Sequence, residues 1–179
     1  NKQVGKANMK IAILDMDDLK SPFWGAGAAR ATREVSKRLA KKHEVTVYCS
    51  KYPGYRDYTE CGIRYVHIGI NFPNAKLTNM SFIAFMPFFV RKIDADIIIE
   101  NFHAPTSVSF SPIFTKTPII ALPAMFNAYE FAKKYHFPFH WIERFGMKFY
   151  KYMLPYSETD SVKAKRLNPG IVYRIVPQG

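Results

Sequence analysis

Cysteine is scarce in this chain of 179 residues. Cys49 and Cys61 are the only two, too few for a disulfide framework or a cysteine metal-ligand set, so the expected setting is a reducing, cytoplasmic one. Long apolar runs are also missing. No stretch approaches the roughly 20 apolar residues that cross a bilayer, and the first residues lack the apolar core of a secretion signal. Acidic residues are outnumbered, 14 Asp and Glu against 26 Lys and Arg, and the resulting net charge of +12 favours anionic partners such as phosphate groups or acidic lipid. Many of these cations, among them Arg33, Lys37, Lys41 and Lys42, fall on the back of an apparent helix, where a solvated face explains them equally well. The 48% hydrophobic content excludes a disordered chain and leaves one compact domain as the expectation.

The pattern that is present is alternation. Strand-length apolar runs occur at 10–14, 44–48, 63–68, 96–99, 118–122 and 172–176, several of them continuous and β-branched, as in strands buried on both faces. Between the first two runs, Ala28, Ala31, Val35 and Leu39 recur at helical spacing. Further helices are expected at 79–93, 106–114, 140–152 and 159–167. Alternation of this kind predicts an α/β, Rossmann-like three-layer domain with a mainly parallel sheet of about six or seven strands. Residues 1–8 read as a polar extension, native or appended, 9–176 as the domain, and 177–179 as the start of a linker.

In such sheets ligands bind beyond the carboxyl ends of the strands, so the connection after the first strand is the first place for chemistry. It runs from Asp15 through Asp17, Asp18 and Trp24 to Gly25, Ala26 and Gly27. A dinucleotide fingerprint is lacking, because Arg30 stands where the third glycine belongs. The small residues still allow a ligand near the backbone, with the free N–H groups of the next helix available to an anion. Two other readings start from the same sequence. Asp15 and Asp17, at a strand end, have the Asp-x-Asp form of a magnesium-dependent phosphohydrolase, though no second acidic pair follows to complete its metal site and Glu100 stands alone. A non-catalytic module for anions or nucleic acid fits the charge. The aromatics, however, lie within apolar segments and form no RNA-binding motif, so no nucleic-acid partner is expected.

The run from Ser21-Pro22 through Gly25-Ala26-Gly27 to Arg30, followed by Val35 to Val47, resembles retaining GT-B glycosyltransferases of the group 1, family four type. Asp94 to Glu100, Tyr156-Ser157-Glu158-Thr159 and Ile175 to Gly179 resemble later parts of the same N-terminal domain, in order. The resemblance implies an acceptor-side half-enzyme of hexosyltransferase type. Its substrate would be a UDP-, GDP- or ADP-linked sugar, with no tightly bound cofactor and no metal, and its partner a C-terminal donor-binding domain of the same protein. Alone it would be inactive. The implied acceptor is a sugar, a lipid-linked molecule or a polysaccharide. The resemblance places Gly25, Ala26 and Gly27 at the cleft near donor diphosphate and acceptor, and points to Asp17, Trp24, His103, Asn127 and Glu158 as acceptor-cleft residues. Ala124 stands where many members carry a histidine near the transferred sugar, so no catalytic residue is assigned. Aromatic and basic residues at 82–92 and 137–151 suit either packing or peripheral contact with an anionic membrane at its inner face.

Overall fold

The computed structural model describes residues 8–23, 27–101, 106, 108–123 and 126–176. They form one eight-stranded sheet in the order β3-β4-β2-β1-β5-β6-β7-β8. The strands are β1 (Lys10–Asp15), β2 (Glu44–Ser50), β3 (Tyr58–Glu60), β4 (Ile63–Ile68), β5 (Ile97–Asn101), β6 (Ile119–Ala121), β7 (Tyr152–Met153) and β8 (Val172–Tyr173). All neighbours pair in parallel except β3 with β4. The sheet thus has one or two strands more than the expected six or seven. The additions are short: three-residue β3, which closes an edge as a hairpin, and two-residue β7, neither long enough to show a pattern.

The continuous runs are buried on both faces, as two-sided strands require. In β1, Ile11 and Ile13 join a core with Val45, Val47, Ile63 and Tyr65, while Ala12 and Leu14 point into the larger core on the opposite face. Helix α1 (Gly27–Ala40) covers the first core through Leu39 and Ala40. Helix α2 (Ala75–Val90) covers the second with Thr78, Phe82, Met86 and Val90, four positions on one helical stripe. Asn74 caps α2, its side-chain oxygen accepting from the amides of Lys76 at 2.9 Å and Leu77 at 3.3 Å. Pro87 lies inside this helix and does not end it.

Three helical expectations need correction. The buried side of α1 is Ala29, Thr32 and Ser36, and Val35 is 51% exposed. The stripe is rotated because small residues let the helix approach the sheet and Thr32 is drawn to a buried carboxylate. Among the described residues of the segment 106–114, only the short α3 (Ser111–Phe114) is helical. The single helix expected at 140–152 is α5 (Phe139–Gly146) followed by a 3-10 turn, Met147–Phe149, after which Tyr150 is extended and leads into β7. Two further helices complete the fold, α4 (Ala128–Tyr135) and α6 (Glu158–Leu167).

Candidate functional site

Every parallel strand delivers its carboxyl end to one edge of the sheet. Chain order reverses between β1 and β5: β1 leads through α1 to β2 on one side, and β5 leads to β6 on the other. A crevice beyond the carboxyl ends at such a reversal is where doubly wound sheets bind ligands.

Asp15 and Asn101 sit opposite one another at this point, in register. Asp15 is fully buried, and Asn101 is 3% exposed. The Thr32 hydroxyl donates to Asp15 Oδ2, and Asn101 Nδ2 donates to the same oxygen at 3.1 Å and to Thr32 Oγ1 at 2.9 Å. Asp15 Oδ1 accepts from the Asp17 amide at 3.1 Å. The carboxylate therefore ties the first helix and the start of the connection after β1 to the strand ends. It is not presented as an open nucleophile, which removes the geometry that a phosphohydrolase reading of Asp15 and Asp17 requires. Asn101 Oδ1 is buried without a hydrogen-bond partner among the described residues.

A second polar cluster lies beside it, at the ends of β1, β2 and β4. Asp18 is 2% exposed. It accepts from Tyr58 at 2.7 Å, Tyr52 at 3.0 Å and the Lys20 amide at 3.1 Å, and faces His67 Nε2 at 2.9 Å. The other ring nitrogen, Nδ1, is 3.1 Å from Asp57 Oδ1, which also accepts from the His67 amide at 2.9 Å. Burial pushes Asp18 up, but the bonds from His67, Tyr58, the Lys20 amide and Tyr52 outweigh it and hold the carboxyl below its ordinary range. Burial, with Asp18 alongside, raises the Tyr52 and Tyr58 phenols well above theirs.

The third cluster is centred on Glu100, 1% exposed, in β5. Its Oε1 accepts from Ser109 Oγ at 2.5 Å and Ser111 Oγ at 3.1 Å, and its Oε2 from the Tyr150 hydroxyl. Burial dominates here and lifts Glu100 to about 7, against the three hydroxyl donors that favour its charge. The cluster ties the residues following β5 to the turn before β7. A close approach supports it: a Cβ on Gly146 would stand 2.5 Å from the Ser109 carbonyl oxygen, so only glycine fits.

Of the residues expected at the cleft, Trp24, Gly25, Ala26 and His103 lie outside the described residues, as does Ala124. Gly27 is the first residue of α1, exposed, with open space where a Cβ would be. Asp17 is half-buried after β1, and its carbonyl accepts from Cys49 Sγ at 3.4 Å. Asn127 is exposed at the start of α4, and Glu158 is exposed in the first turn of α6. All four leave carboxyl strand ends, after β1, β6 and β7, so the fold brings them to the same edge.

The sequence places Asp18 in the connection after the first strand without a role of its own, and His67, Tyr52 and Tyr58 are absent from the sequence-based site, as are Thr32, Asn101 and the hydroxyl partners of Glu100. A polar residue inside an apolar strand, His67 in β4 and Glu100 in β5, is the one signal that could have flagged two of these clusters.

No curated protein matches the chain in sequence comparison. Residues 25–162 match the family model described as Glycosyltransferase Family 4, a span that runs from the loop before α1 into α6. With that match and a Rossmann-like sheet whose buried clusters and reversal point share one edge, the chain belongs to glycosyltransferase family 4 and has the fold of the N-terminal half of a GT-B enzyme.

Proposed function

We propose that this chain is the acceptor-side half of a retaining hexosyltransferase whose donor is a UDP-, GDP- or ADP-linked sugar. The observation that carries the reading is the reversal point between β1 and β5, where Asp15, Thr32 and Asn101 anchor the loop leading to Gly27 within a chain of this family. A C-terminal donor-binding domain of the same protein closes over this edge. In the reaction the bond between the anomeric carbon and the diphosphate oxygen breaks, an acceptor oxygen takes its place on the same face, and the acceptor proton leaves with the nucleotide diphosphate. The residues of this half bind and orient the acceptor, and Gly25, Ala26 and Gly27 serve the donor diphosphate and acceptor cleft. Asp17, Trp24, His103, Asn127 and Glu158 line the acceptor side. Without the donor domain the chain is catalytically silent.

The site of action in this reading is the cytoplasm, at the inner face of a membrane. No helix among the described residues is long and apolar enough to cross a bilayer. The exposed rings of Trp141, Phe145 and Phe149 instead stand beside Arg144, Lys148 and Lys151, a combination that suits an anionic interface and a lipid-linked acceptor. Radiolabelled UDP-, GDP- and ADP-sugars offered to the full-length protein with lipid extract and soluble acceptors test the main reading, with this chain alone as control. Label entering product only with the full-length protein is expected, and no transfer from any donor refutes it. Trp141→Ala with Phe145→Ala should reduce co-sedimentation with phosphatidylglycerol vesicles, and unchanged co-sedimentation would refute the membrane contact.

A further inference from the structure

Next to the reversal point, between the β1–α1 connection and the β2–β3 connection, lies a cavity of about 550 Å³ lined by Lys20, Pro22, Tyr52, Arg56, Asp57 and Tyr58. It has room for a monosaccharide carrying a further group and lies within the range of small-molecule sites. Its walls are fixed before any ligand arrives. The Tyr52 and Tyr58 hydroxyls both donate into buried Asp18, and Tyr58 is stacked on Tyr65 with ring centres 4.5 Å apart. Beneath them His67 is held between Asp18 and Asp57, its side chain fully buried.

The charges around the cavity are unequally satisfied. Each acid has a partner, Asp57 facing His67 and Glu60 accepting from Arg33 at 2.9 Å, although the Asp57 side chain is 54% exposed. The two cations are held more loosely. Lys20 Nζ rests 3.5 Å from the centre of the Tyr58 ring, is 53% exposed and stands a long 3.8 Å from Glu60. Arg56 is exposed and, among the described residues, has no ion-pair partner. A hollow whose lining carries Lys20 and Arg56 against the single carboxylate of Asp57, itself turned to His67, favours an anion over a neutral molecule.

We propose that this cavity binds a monosaccharide-sized anion, a sugar bearing a phosphate or carboxylate, with Lys20 and Arg56 as its charge partners. Resting on the glycosyltransferase reading, it is the subsite that admits an anionic acceptor. The rigid wall formed by Tyr52 and Tyr58 sets the size of the ring that fits, and the two cations set its charge.

The test is calorimetric titration of the chain, without donor, using glucose 6-phosphate, glucuronate, glucose and inorganic phosphate as probes. At least one of the two anionic sugars should bind about tenfold or more tightly than glucose and than inorganic phosphate, and which one does so identifies the anion. Raising ionic strength from about 0.02 M to about 0.3 M should weaken that binding. Lys20→Ala with Arg56→Ala, both exposed positions that leave the fold intact, should weaken it about tenfold or more, and Lys92→Ala at the opposite edge should not. Glucose binding as well as its phosphate and glucuronate, inorganic phosphate binding as well as the sugar phosphate, or an indifferent double variant would each overturn the proposal. The two readings fail separately. Sugar-anion binding here, with no transfer by the full-length protein, removes the acceptor role and keeps the site; transfer to neutral acceptors, with no sugar anion bound here, removes the site and keeps the enzyme.

Discussion

Replacing Glu100 by Gln should change the pH dependence of folding more than the stability at any one acidic pH. Burial raises the folded-state Glu100 to about 7 from an ordinary 4.5. The folded chain therefore holds this proton more tightly than the unfolded chain. The stabilisation is complete below the unfolded value and is lost as pH rises through the folded one. Integrated from about pH 5 to about pH 8, a single group with these two values removes about 2–3 kcal/mol of stability. Glutamine keeps the shape. Its carbonyl can accept from Ser109 and Ser111, and its amide can donate to the Tyr150 oxygen while that hydroxyl turns to Ser109 Oγ, 3.3 Å away. Urea unfolding of both proteins across this pH range reads the difference directly, because the other titrating groups are common to both. Glu100→Gln should gain on wild type by about 2–3 kcal/mol between the two ends. Parallel stability curves, or a variant that loses ground as pH rises, would refute the account of Glu100 as a carboxyl kept protonated by burial.

Asp18→Asn leaves His67 and two tyrosine hydroxyls without their carboxylate and should cost about 3 kcal/mol in urea unfolding near neutral pH. Since Asp18 is held below its ordinary range, its stabilisation is present above that range and fades as pH falls through the lowered value, so the gap to wild type should narrow below about pH 4. Thr32→Val removes a buried donor to Asp15 and an acceptor from Asn101, and should cost about 1–3 kcal/mol by the same measurement. Gly69, at φ +94°, has Ser81 Oγ 2.7 Å and the Phe82 amide nitrogen 3.1 Å from where a Cβ would lie. Gly69→Ala should lower the thermal midpoint by several degrees, the shift that about 2 kcal/mol produces in a domain of this size.

The strands were legible because each long one is buried on both faces, so its apolar run is uninterrupted and needs no partner to be seen. The helices were harder wherever a tertiary contact outweighed local pattern. In α1 the apolar Val35 is left outside, and Thr32 and Ser36 go in, because Thr32 meets Asp15 in the register β1 imposes. The helix expected to run to Tyr152 breaks after Gly146, where the chain passes against the Ser109 carbonyl and Tyr150 is taken by Glu100. Neither Ser109 nor Tyr150 carries a local mark of that pairing, since 41 residues separate them. The candidate site shows the same division. Gly27, Asp17, Asn127 and Glu158 could be placed by resemblance and by position after a strand, whereas the Asp18 and Glu100 clusters exist only once distant strands stand side by side.

The three buried clusters share a logic that follows from a parallel sheet. Its carboxyl edge must be open for ligand, so the loops there cannot be held by covering them with apolar mass. Each cluster solves this by sinking one carboxylate beneath a loop and gathering donors from elements far apart in sequence: Asp15 from α1 and β5, Asp18 from β3, β4 and the residues after β2, Glu100 from the residues after β5 and the turn before β7. A buried carboxylate contributes little net stability, but its hydrogen bonds are directional and fix position better than apolar contact does. Two of the acids are thereby taken from the rim. With Asp15 and Asp18 drawn inward, Lys20 and Arg56 face solvent against Asp57 alone, itself turned to His67, at the edge where an anionic ligand arrives.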